Sequence, residues 1–85
     1  MSNIQVKFID KPHIHEGKIY GNAEYRSLCS THEMNFIYDL EQQKIEMIDE
    51  IAFGSWWDWD LEKMDDREQS IYNQILELLK EEGLI

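Results

Sequence analysis

Cysteine, proline, basic residues and long apolar runs are all scarce in this chain, and each shortage removes a class of protein. Cys29 is the single cysteine among 85 residues, so no internal disulfide can support a small core, and a reducing, cytoplasmic setting is expected. One proline and four glycines leave nothing that reads as a linker, and no repeat or low-complexity stretch is visible. Apolar runs last only a few residues, far short of the roughly 20 that cross a bilayer, and no basic-then-apolar start suggests a secretory signal. Eight bases stand against eighteen acids, for a net charge of -10. That balance lacks the basic footprint of direct nucleic-acid binding and is repelled by anionic lipid, so neither nucleic acid nor membrane is an expected partner.

What the chain does have is apolar and aromatic substance with a lopsided charge. An apolar fraction of 42% with ten aromatic residues supplies enough burial to order one domain of this length. Residues 1–38 hold four acids and four bases, whereas residues 39–85 hold fourteen acids and four bases, so the second stretch carries the whole net charge. The densest part is Asp58 to Glu68, six acids in eleven positions next to Trp56, Trp57 and Trp59.

Periodicity predicts an α+β fold: a four-stranded, meander-like antiparallel sheet with one C-terminal helix packed on one face, all in a single acidic domain spanning 1–85. Alternating apolar and polar residues place strands at about 3–9, 18–26, 34–40 and 44–48, with Asp10-Lys11-Pro12 ending the first. Ile71, Ile75, Leu78 and Leu79 form the stripe of an amphipathic helix at about 66–82, which Asp65 and Glu68 begin as a capping box and Gly83 ends. The residues expected to face the helix are Ile4, Val6, Phe8, Ile19, Ala23, Tyr25, Met34, Phe36, Tyr38, Ile45 and Met47. The opposite face is expected to show Tyr20, Glu24, Arg26, Ile37, Glu46 and Ile48, apolar enough to admit a homodimer. Gly21 falls in the inward set and is expected where the helix backbone passes closest.

Few residues point to chemistry. His13, His15, Cys29 and His32 are metal-ligating types, but in a meander their two loops lie at opposite ends of the second strand, about 30 Å apart. A small metal-binding protein is therefore the less favoured reading, and no metal or cofactor is expected. Cys29 beside His32 lacks an oxyanion loop, and the acids form no calcium loop or dinucleotide fingerprint. No enzymatic activity is expected.

The remaining signal is the Trp-rich acidic stretch. Three indoles in one short segment cannot all turn inward, and tryptophan is enriched in binding hot spots. Acids in the first helical turn complement the helix dipole, but Glu77, Glu81 and Glu82 crowd the last turns, where cations are preferred. Residues 58–68, if helical, would span about 16 Å, over which one DNA strand sets about five phosphates. The expectation is a non-enzymatic acidic protein that inhibits or regulates a basic, nucleic-acid-binding partner by nucleic-acid mimicry, of the phage or mobile-element counter-defence type (anti-CRISPR or anti-restriction). The alternative is an immunity, antitoxin-like or adaptor protein that binds one basic protein. Either would use Trp56, Trp57, Asp58, Trp59, Asp60, Glu62, Asp65, Asp66 and Glu68.

Overall fold

A computed structural model describes residues 4–27, 30–52 and 55–85. The class is α+β, an antiparallel sheet with one C-terminal helix, but the sheet has six strands where the alternation predicted four. They are β1 (Gln5–Phe8), β2 (His13–His15), β3 (Lys18–Arg26), β4 (Thr31–Asp39), β5 (Lys44–Ala52) and β6 (Ser55–Asp58), followed by α1 (Asp66–Glu81). The order across the sheet is β1-β3-β4-β5-β6, and β2 also pairs with β3. The expected first strand begins at residue 3, which lies outside the described residues.

The two extra strands have different origins. β1 and β2 lie along the same edge of β3, with Phe8 opposite Ala23 and His13 opposite Tyr20. Ile9 still donates to the Asn22 carbonyl at 3.0 Å, so Asp10, Lys11 and Pro12 form an excursion opposite Gly21. Proline has no N–H for a ladder, and it breaks this edge strand instead of ending it. Glu16 and Gly17, both at positive φ, then make the two-residue turn into β3, the combination a tight hairpin favours. The other addition, β6, pairs with residues 49–52 of β5 and occupies part of the expected connection.

One irregularity decides which side chains enter the core. Ile37 faces Met47, but the next residue, Tyr38, faces Ile45, so β5 carries one extra residue there. A bulge of one residue reverses the faces of everything beyond it. Ile45 is inward before it, and Ile48 and Glu50 are inward after it, with exposures of 2%, 0% and 3%. Met47, expected inside, therefore lies on the outer face, and Ile48, expected outside, is core. The remaining core joins Val6, Ile19, Ala23, Tyr25, Met34, Phe36 and Tyr38 from the sheet to Ile71, Ile75 and Leu79 from the helix, with Trp59 closing one end.

Gly21 has a different reason from the one its sequence position suggested. A Cβ there would lie 2.5 Å from the tip of the Phe36 ring. The missing side chain makes room for that ring, not for the helix backbone. Asp65 caps α1 through both halves of a capping box with Glu68, and Gly83 follows the helix at positive φ, where glycine pays no steric cost.

Candidate functional site

The Trp-rich stretch divides among three local structures, each set by its own hydrogen bonds. Trp59 donates its backbone N–H to the Ile48 carbonyl at 3.0 Å, extending the β5–β6 ladder by one pair. Directly bonded pairs alternate in an antiparallel ladder, so Ser55 and Trp57 also turn their amides toward β5. The N–H and C=O groups of Trp56 and Asp58 turn to the open edge. Cross-strand neighbours share a face. Trp57, opposite Glu50, is therefore on the helix side, while Trp56 and Asp58, opposite Ile51 and Asp49, are on the outer side. Trp56 is 56% exposed and Trp57 45%, whereas Trp59 is buried.

Trp59 is held by a buried carboxylate that no residue pattern singles out. Its indole Nε1 donates to Glu50 Oε2 at 2.9 Å. The Tyr25 hydroxyl donates to Glu50 Oε1, and His32 Nδ1 lies 3.5 Å from the same oxygen. Arg67 of the helix donates to the Tyr25 hydroxyl at 3.0 Å and sits over its ring, while His32 stacks on the same ring with ring centres 4.9 Å apart. Burial, followed by the bond to Glu50, pushes the Tyr25 phenol up to about 12. A buried charge is tolerable only when its lone pairs are satisfied. Both Glu50 oxygens accept a hydrogen bond, and the cluster ties β3, β4, β5, the 59–65 connection and α1 together.

The acids expected to act together are put to separate uses. Asp58 faces Asp49 across the outer side of the sheet. Its hydrogen-bonding proximity, then burial, holds the Asp49 carboxyl above the usual carboxylate range. The Asp49 Oδ1 atom is buried without a hydrogen-bond partner among the described residues. Asp60 accepts from the Glu62 N–H at 3.1 Å and shapes a turn. Asp65 and Glu68 are engaged in the helix cap. Glu62 and Asp66 are exposed. Residues 58–68 are thus the end of a strand, a turn, a cap and the start of a helix, and the helical row of carboxylates that would match phosphate spacing is not formed.

A groove nevertheless opens beside them. β6 stops at the level of Ile48, so the Lys44–Met47 part of β5, paired with β4 on one side, has no strand on the other, and the chain from Trp59 to Met64 crosses to the helix. The resulting concavity of about 760 Å³ is lined by Asp39, Glu46, Asp60 and Glu62, with Lys44 as its one base and Trp59 and Tyr72 among its walls. Glu46 is paired with Lys18 Nζ at 2.7 Å, and the remaining excess of Asp39, Asp60 and Glu62 over Lys44 suits the groove to a cationic side chain. A second concavity, about 460 Å³ on the outer face, mixes Asp10, Lys11, His13 and Asp49.

The possible metal ligands are separated. His13 and His15 lie beside Tyr20 on the outer face, His32 faces the helix side with Tyr25, and Cys29 lies outside the described residues. Comparison with protein-family models, curated proteins and solved structures gave no match for this chain.

Proposed function

We propose that this is a non-enzymatic binding protein of the cytoplasm that inhibits or regulates a basic, nucleic-acid-binding partner by occupying the surface that nucleic acid would contact. The observation that carries this reading is an acidic groove, bordered by Trp59, in the same stretch of chain as the exposed Trp56 and Trp57, where the negative charge is densest in the sequence. Carboxylates offered to lysine and arginine clusters replace phosphates, and an indole replaces a stacked base or fills an apolar pocket. Neither direct nucleic-acid binding nor membrane attachment fits a net charge of -10, and among the described residues no helix is long and apolar enough to cross a membrane. A phage or mobile-element inhibitor of restriction or CRISPR enzymes would need this combination of size and charge. One observation favours the alternative of an immunity, antitoxin-like or adaptor protein: the carboxylates of residues 58–68 follow a strand, a turn and a cap instead of a regular ladder.

The test is affinity capture at low and high salt with Asp58, Asp60, Glu62 and Asp66 reversed to lysine, leaving the Asp65–Glu68 cap intact. Mimicry predicts captured nucleic-acid-binding proteins that duplex DNA or RNA displaces and that charge reversal abolishes. Steering by charge also requires screening by salt, with affinity falling steeply between about 50 and 200 mM. A partner retained through all three challenges rules out the reading.

A further inference from the structure

We infer that β6 accepts an additional strand, an extended lysine- or arginine-bearing segment of the partner, paired to the outward N–H and C=O groups of Trp56 and Asp58. The inference rests on the reading of the chain as a binder of a basic protein and specifies how the partner is held.

Four stretches border no further strand among the described residues: β1, β2, β6 and the part of β5 beyond β6. Helix side chains cover the first and the last, while β2, like β6, is exposed throughout. Along β1, the Gln74 side chain accepts from the Val6 N–H at 3.1 Å and donates to the Ile4 carbonyl at 3.2 Å, reproducing what a neighbouring strand would supply. On β5 beyond the reach of β6, the Tyr72 hydroxyl accepts from the Ile45 N–H at 3.2 Å. No described residue does the same for Trp56 or Asp58. Exposed edges template further pairing and are usually covered or blocked, and strand addition is a recurring way to bind extended peptides. Here the open edge comes with an indole on each face of the sheet, so an added strand would run between Trp56 and Trp57.

Charge selects the occupant. A residue opposite Asp58 on the outer side would meet the Asp58 carboxylate directly, with Asp49 of β5 behind it across β6. A cation there answers the Asp58 carboxylate, and the next basic residues along the segment reach Asp60 and Glu62 at the mouth of the groove. A second copy of the chain is disfavoured by the same groups, since pairing β6 with itself joins two chains of net charge -10 through their acidic ends.

The test uses a blocked peptide of alternating lysine and valine and a second peptide of equal charge that is N-methylated along its backbone. Tryptophan fluorescence of the full chain reports binding of each. Strand addition predicts that methylation, which removes donors while keeping the charge, weakens binding by roughly tenfold or more. Equal binding of both peptides overturns strand addition while leaving recognition of basic partners intact. Failure of the unmethylated peptide to bind overturns it as well, and the capture experiment then decides the broader reading independently. Dimerisation that rises with protein concentration and that the peptide does not reverse assigns the edge to a second copy and also overturns the inference.

Discussion

Two stretches of this sheet's border, β1 and β6, are treated in opposite ways. The β1 border is closed by Gln74, whose amide bonds Val6 and Ile4, and α1 packs beside that strand. The β6 border is left to solvent, with Trp56 and Trp57 exposed and an acid at its end. Closing an edge takes only one well-placed amide side chain from a helix already nearby. The helix reaches β1 and the bare stretch of β5, yet it does not cover β6. The contrast separates the part of the molecule whose residues serve folding from the part whose residues are available to something else. Shortness and negative charge deter β6 from pairing with copies of itself, and neither deters a cationic strand.

The largest expected effect comes from the group that holds the two regions together. Glu50→Ala removes the acceptor for the Tyr25 hydroxyl and the Trp59 indole in a buried site, and should cost about 3 kcal/mol or more in urea unfolding. It should also release Trp59, seen as a red shift of its fluorescence. Loss below about 1 kcal/mol would mean that β6 is positioned by something other than this carboxylate.

Opening the closed borders should cost less. Gln74→Ala removes two hydrogen bonds from β1 and is expected to destabilise by about 1–2 kcal/mol, while Tyr72→Phe removes one from β5 and should cost about 1 kcal/mol. If both changes are neutral in urea unfolding, the helix side chains do not close these edges and the contrast with β6 disappears.

The smallest effect is confined to alkaline pH. The Tyr25 phenol is raised from 10.0 to about 12, so the folded chain keeps it neutral where the unfolded chain would ionise it. That contribution to stability is complete below pH 10.0 and is lost as pH rises from there toward about 12. Burial raises Tyr38 in the same direction, so some slope should persist in any variant. The urea midpoint should therefore fall more steeply above pH 10 in the native chain than in Tyr25→Phe, and equal slopes would contradict the burial of this hydroxyl.

Much of the scaffold could be read from residue patterns because those patterns are long. Nine-residue strands with alternating apolar positions, and a helix with Ile71, Ile75 and Leu79 on one side, carry their periodicity in plain sight. β6 could not be read this way. It has four residues, all exposed, so neither face leaves an alternation, and its strand character comes only from pairing with β5. The bulge near Met47 was equally hidden, since a single inserted residue changes which side chains are inward without changing the composition of the strand. Glu50 was unreadable for a different reason. Its partners Tyr25, His32 and Trp59, with Arg67 bonded to Tyr25, come from four other parts of the chain, and an acid in an acidic stretch reads as surface until they are assembled around it. Within the Trp-rich run, the sequence marked an unusual segment but could not tell that Trp59 is an anchor and that Trp56 and Trp57 flank an edge.

The most direct test of the open-edge account is amide hydrogen exchange, residue by residue, with and without the lysine–valine peptide. In the free protein the Val6 and Ile45 amides should exchange slowly, protected by Gln74 and Tyr72, while those of Trp56 and Asp58 exchange quickly. Peptide should slow exchange at Trp56 and Asp58 by roughly tenfold or more and leave Val6 and Ile45 unchanged. Fast exchange at Trp56 and Asp58 in the presence of bound peptide would contradict the account.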